Sequence, residues 1–201
     1  MKDFLARLRG SAYRWRTQLL NPNIKIGTGL RLYCKLDAAG AGKIVIGRDC
    51  VICGIPGEGH KYVQIHTIDQ SAMIVIGDRV HIAGTRVTAK FSITIGDDAL
   101  VEEAVILDTD FHSILPHRAL LDETLVKCRI HIGNRVAIGA RSMITRGLTI
   151  QDDVVLIPGS IVTKSLPPSC VAGGNPAKIL LRREVFGHNM TAAQKLVSAA
   201  E

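Results

Sequence analysis

The chain of 201 residues is 47% hydrophobic but only 4% aromatic, so one substantial core must be packed by Ile, Leu and Val. A formal charge of +7 calls for an anionic partner, whether nucleic acid, a membrane surface or a phosphate-bearing small molecule. No apolar run has the length of a membrane span, and the five cysteines follow no secretion signal, which predicts reduced thiols in a soluble cytoplasmic protein.

Residues 1–21 carry Lys2, Arg7, Arg9, Arg14 and Arg16 against Asp3, with Leu5, Leu8, Tyr13 and Trp15 interleaved. They predict a basic amphipathic helix that caps a first coil or, alternatively, offers a surface to a membrane or a partner. No nucleic-acid-binding motif accompanies these charges, so nucleic acid is not an expected partner. From residue 22 the pattern changes. Ile-Gly recurs at Ile26-Gly27, Ile46-Gly47, Ile76-Gly77, Ile95-Gly96, Ile132-Gly133 and Ile138-Gly139, and an uninterrupted aliphatic hexad runs Ile132, Ile138, Ile144, Ile150, Leu156, Val162. A period of six suits short strands joined by corners in a β-solenoid, with the Ile inside and the Gly free to take a positive φ.

The register breaks at residues 54–62 and 108–127, which predicts loops projecting from the solenoid. Cys50 and Cys53 form a lone Cys-x-x-Cys, weak as a metal or redox signal, and fall where small packing residues belong. His66, His81 and His131 stand beside inward positions and are expected at the surface or an interface. Beyond Pro167 and Pro168 the repeat ends near residue 180, and 181–201 are expected to form a C-terminal helix.

The segment from Ile130 to Arg183, above all GSIVTKSLPPSCVAGGNPAKI from Gly159 to Ile179, resembles the hexapeptide-repeat acetyltransferases of the galactoside, maltose and polysaccharide O-acetyltransferase group. The resemblance implies an all-β, left-handed parallel β-helix over 22–180, with short terminal helices and a homotrimer whose active sites lie between subunits. It further implies acetyl-CoA as acyl donor and a saccharide hydroxyl as acceptor. In the stretch LDTDFHSILPHR, His112 matches the family's catalytic base and Arg118 its downstream Arg. A sugar hydroxyl is a poor nucleophile, so a base near neutral pKa must take its proton during attack on the thioester. Asp110, two residues before His112, would share its side of an extended segment and could orient the imidazole. Asp108, His117 and Arg118 are acceptor-contact candidates.

By the same resemblance the acyl-CoA arm runs past Gly139, Ala140, Pro158 and Ser160, then Thr163 and Lys164, with Lys178, Arg182 and Arg183 toward the phosphates. Two positions depart from the galactoside type. Ala137 stands where a Trp is common, and the nearest counterpart of an Asn that holds the acceptor is about Gly84. The stretch from Asp108 to Ser113 looks more like the polysaccharide and surface-glycan enzymes, which implies a sugar of envelope or exopolysaccharide synthesis as acceptor. N-acetylation of an amino sugar, free or nucleotide-linked, is the alternative chemistry, and a non-catalytic β-helix scaffold the alternative role. The loop's His and Asp residues match no metal-ligand spacing, so no metal is expected.

Overall fold

The computed structural model describes residues 1–55, 62–109 and 125–182. Strands of two to six residues alternate inward and outward side chains, and the inward ones stack coil upon coil. On the first side, Ile24, Ile44, Ile74, Ile93 and Ile130 fall in one register column, and Ile26, Ile46, Ile76, Ile95, Ile132 and Ile150 in the next. All of these are buried. A β-branched residue suits this pleated, fully covered face, and each such side chain contributes roughly 2–3 kcal/mol by leaving water.

Three sides result, forming a left-handed parallel β-helix. The first comprises Ile24–Ile26, Lys43–Ile46, Met73–Ile76, Ser92–Ile95, Ile130–Ile132 and Thr149–Ile150. The second comprises Arg31–Leu32, Val51–Cys53, His81–Ala83, Leu100–Glu102, Ala137–Ile138, Val155–Leu156 and Cys170–Gly173, closed by Lys178–Arg182 running antiparallel. The third comprises Lys35–Gly40, Tyr62–Thr67, Arg86–Ala89, Val105–Leu107, Met143–Ile144 and Ile161–Val162. The two register breaks fall at the corners leading into and out of this third side. Residues 56–61 and 110–124, which make up most of them, lie outside the described residues.

The corner between first and second sides explains the Ile-Gly pairs differently from the expectation. Gly27, Gly47, Gly77, Gly96 and Gly133 do not take a positive φ. The left-handed residue comes two positions later, at Gly29, Asp49, Arg79, Asp98 and Arg135, with φ between 54° and 77°. The glycines are required by close approach of successive coils: a Cβ on Gly47 would lie 2.4 Å from the Gly77 carbonyl oxygen. Beside them a ladder of side-chain acceptors ties each coil to the next. Asp78, Asp97, Asn134 and Asp152 take the backbone amides of Arg48, Asp78, Asp97 and Asn134 at 2.7–2.9 Å. Outside the ladder, Arg48, Arg79 and Arg135 fork onto Asp78, Asp98 and Asp153 of the following coil. These arginines hold the carboxyls of Asp78 and Asp98 below their ordinary range.

Helix α1, Lys2–Leu20, lies across the first coil, whose strand edges would otherwise be open. It packs through small residues: Ala6 and Gly10 are buried, and a Cβ on Gly10 would lie 1.9 Å from the Leu30 carbonyl oxygen. Arg14 donates to the Ile26 carbonyl at 2.9 Å, and the Tyr13 hydroxyl accepts the Ala38 amide at 3.3 Å. The helix is thus the cap that its position predicts, but of the interleaved apolar residues only Tyr13 faces the coil. At the other end, Leu181 and Arg182 belong to a strand and not to the expected helix, because their backbone pairs with Cys170–Gly173. Residues 183–201 lie outside the described residues.

Ile82 is fully buried in the column of inward residues on the second side. Ile82→Ala is expected to lower the free energy of unfolding by about 2–5 kcal/mol, read from the urea midpoint, because the stack cannot collapse around one missing side chain.

Candidate functional site

The corner between second and third sides is built of small residues on successive coils. Gly139 donates its amide to the Leu156 carbonyl at 2.9 Å, and Gly159 donates to the Ala140 carbonyl at 2.8 Å, which places Gly139 and Ala140 directly beside Pro158 and Gly159. A Cβ on Gly139 would lie 2.7 Å from the Pro158 nitrogen, whereas one on Gly159 would meet nothing within 4 Å. One glycine therefore lets coils close, and the other leaves backbone open to solvent. Ser160 is buried beneath this corner, donating its hydroxyl to the Ile157 carbonyl at 2.6 Å. It fastens the turn and offers no hydroxyl outward.

Lys178 pairs with Gly173 and so continues the same line at its far end, exposed. Arg182 pairs with Cys170, at the opposite edge of the second side. Thr163 and Lys164 follow Ile161–Val162 onto the corner between third and first sides, also exposed. Of the residues expected along an acyl-CoA arm, the structure brings together Gly139, Ala140, Pro158, Ser160 and Lys178. Thr163, Lys164 and Arg182 stand apart from that line.

Toward α1 the corner opens into a cleft of about 950 Å³, lined among others by Tyr33, Cys53, Ile55, His81, Glu102 and Ala140. Ala140 joins this cleft to the small-residue line. Cys53 Sγ lies 2.9 Å from His81 Nε2. Burial pushes the Cys53 thiol up and, with the charge of Arg31, pushes His81 down, so near neutral pH the pair is a thiol and an uncharged imidazole. Glu102 is pushed up by burial and by the neighbouring Glu103. A neutral imidazole and two carboxylates can accept protons and hydrogen bonds from a polyhydroxylated ligand, while a protonated thiol is a poor nucleophile.

None of His81, Cys53, Glu102 or Glu103 was singled out for this role by motif or hexad. Their juxtaposition rests on register across coils, Val51–His81–Leu100 and Cys53–Ala83–Glu102. Cys50, by contrast, is the buried packing residue expected, its thiol 3.2 Å from the Gly77 carbonyl.

The loop expected to carry the base leaves at another corner. Asp108 ends the third side, fully buried, and its carboxylate accepts the amides of Lys90 and Phe91 at 2.7 and 2.8 Å. Burial raises its pKa against the opposing pull of these amides. As an acceptor-contact candidate Asp108 is corrected by this geometry, because its oxygens are turned inward and taken up by backbone, anchoring the loop's first residue. Asp110, His112, His117 and Arg118 lie outside the described residues. Among the described residues, no group of three or more His, Cys, Asp or Glu side chains is placed to hold a metal ion.

The winding and this corner define a class: hexapeptide-repeat β-helix proteins. No protein-family profile matches the chain. Among curated proteins it is 38% identical over 90 residues to the galactoside O-acetyltransferase of Escherichia coli K12, covering 45% of this chain and 44% of that one. It is 34% identical over 137 residues to the polysialic acid O-acetyltransferase of Escherichia coli O1:K1, covering 62% and 44%. These named relatives are O-acetyltransferases of the group that the Gly159–Ile179 run resembles. The chain spans about half the length of the curated relatives it matches. The fold is shared with the polysialic acid O-acetyltransferase OatWY, at TM-score 0.61 and 23% identity over 87% of this chain and 83% of that one. It is also shared with AntD, an N-acyltransferase from Bacillus cereus, at TM-score 0.62 and 19% identity over 92% of both chains.

The two partly exposed thiols, Cys34 and Cys53, have raised pKa values, Cys34 to about 11. Alkylation by iodoacetamide under native conditions is therefore expected to be slow at pH 7 and to accelerate only above about pH 9, with Cys53→Ala removing one of the two reacting sites. Rapid labelling of Cys53 at pH 7 would show a thiolate and contradict the neutral pair.

Proposed function

We propose that this protein is an acetyl-CoA-dependent O-acetyltransferase that acetylates a hydroxyl of a saccharide in surface or exopolysaccharide synthesis. The observation that carries this reading is the continuous corner from the cleft at His81 and Glu102, past Ala140 and Gly159, to Lys178. An extended thioester arm fits a line of small residues and open backbone, with a cation near its far end for phosphate. The cleft's polar groups suit an acceptor rich in hydroxyls. The sequence relatives act in the same sense, on galactosides and polysialic acid by their names.

In this account His112 takes the acceptor hydroxyl's proton as that oxygen attacks the thioester carbonyl. The carbon–sulfur bond breaks and CoA leaves as the thiol after protonation. Asp110 is the positioning residue for the imidazole, and His117 and Arg118 contact the acceptor. The loop bearing His112 departs where the third side turns to the first, whereas the small-residue corner lies where the second turns to the third. A site completed between neighbouring copies of a homotrimer satisfies both placements.

A second reading, N-acetylation of an amino sugar, is favoured by one observation: Glu102 lines the cleft, where an ammonium group would find a carboxylate, while the neighbouring Glu103 is paired with Arg141 at 3.3 Å. Thiol release from acetyl-CoA across sugars, nucleotide sugars and amino sugars distinguishes the two, and absence of turnover on all of them would favour a scaffold. With the acceptor in hand, His112→Ala is expected to lower kcat by at least about 100-fold while acetyl-CoA affinity changes little. Near wild-type kcat in the purified variant would remove His112 as base and make His117 or His81 the next residue to replace.

A further inference from the structure

The face of α1 turned away from the coil is apolar. At about 100° per residue, Ala6, Gly10, Tyr13 and Thr17 point to the coil, and Phe4, Leu8, Trp15 and Leu19 form a stripe on the opposite side. These four are 66, 51, 72 and 69% exposed. A cap needs only one packed face, and this helix meets that need with its small residues. The large apolar ones are left for another surface.

The stripe's borders are charged with one sign. Arg9 and Arg16, both exposed, flank one edge, and Arg7 lies on the other with its guanidinium 3.1 Å from Asp3. Over the helix, Lys2, Arg7, Arg9, Arg14 and Arg16 face a single acidic residue, Asp3. A Trp, Phe and Leu stripe bordered by arginines matches the interface of an anionic bilayer, where apolar side chains enter the acyl boundary and guanidinium groups meet the headgroups. No described helix is long and apolar enough to cross a membrane, which leaves lying on the surface as the available mode for α1.

We propose that α1 seats the protein on an anionic lipid surface through Phe4, Leu8, Trp15 and Leu19, with Arg9 and Arg16 at the headgroups. The seat lies at the end of the solenoid, so the corner at Ala140 and Pro158 remains open along its side. This inference does not rest on the acyltransferase reading and stands or falls separately from it.

Trp15 is the chain's single tryptophan and lies within the stripe, so its fluorescence reports the contact directly. The full chain is mixed with vesicles of phosphatidylglycerol and phosphatidylcholine, or of phosphatidylcholine alone, and followed by Trp15 emission and co-sedimentation. A blue shift with pelleting on the anionic vesicles, weakened by salt, is expected. Leu8→Ser with Leu19→Ser should reduce partitioning about tenfold or more, and Arg9→Glu with Arg16→Glu should remove the preference for anionic lipid. Neither pair touches the face packed on the coil, and an unchanged thermal midpoint checks the fold. Wild-type emission that stays red and protein that stays in the supernatant would overturn the proposal. So would emission already blue in buffer that turns red, with a fall in light-scattering mass, when Leu8→Ser and Leu19→Ser are introduced, since the stripe would then be covered by a second copy of the chain.

Discussion

Every feature of this molecule depends on one constraint: an inward aliphatic residue must sit directly above its counterpart in the preceding coil, at the roughly 4.8 Å spacing of hydrogen-bonded strands. Ile44 over Ile24 and Ile74 over Ile44 are instances of it. The spacing is so short that a corner residue meets its neighbour's backbone, which is why Gly47 and Gly77 carry no side chain. It also brings each corner side chain within reach of the previous coil's amide, so Asp78, Asp97, Asn134 and Asp152 become structural acceptors. Several residues beside them hold a left-handed backbone at a cost of about 1–2 kcal/mol each, offset by these bonds.

Because coils repeat in register, each corner is a straight line along the solenoid, and chemistry is laid out along lines. One corner is spent on the acid–arginine ladder. Another is kept small and open at Ala140 and Gly159 and widens into the cleft at His81. The third releases the loop anchored by the buried carboxylate of Asp108. An acyl donor and a base carried on different corners of a rigid prism meet most directly when two prisms stand side by side. In the proposed reading the active site is therefore shared between copies of the chain.

The hexad from Ile132 to Val162 made the solenoid legible, since period six suits neither a helix nor a long strand. Gly139, Ala140 and Pro158, which the resemblance singles out, lie side by side at one corner. What escaped has physical reasons. The cleft pairs Cys53 with His81, 28 positions apart, and the hexad register of the sequence is interrupted between them, at 54–62. No count of six crosses that break. Glycine's role at the Ile-Gly corners was misjudged because coil-to-coil approach is invisible within one coil. Asp108 stood out for its proximity to His112, yet burial assigns it to the backbone. Of α1, charge and amphipathicity were evident, but the choice of the small face for packing depended on the Leu30 carbonyl that Gly10 admits.

A site shared between copies is tested most directly by complementation. Chains carrying His112→Ala and chains carrying Ala140→Trp, which fills the corner, are each expected to be inactive in acetyl transfer. Mixed, unfolded and refolded together, they should regain activity, because some interfaces then join an intact His112 loop to an intact corner. Activity that stays absent in mixed trimers of confirmed composition would place base and corner within one chain and contradict the account.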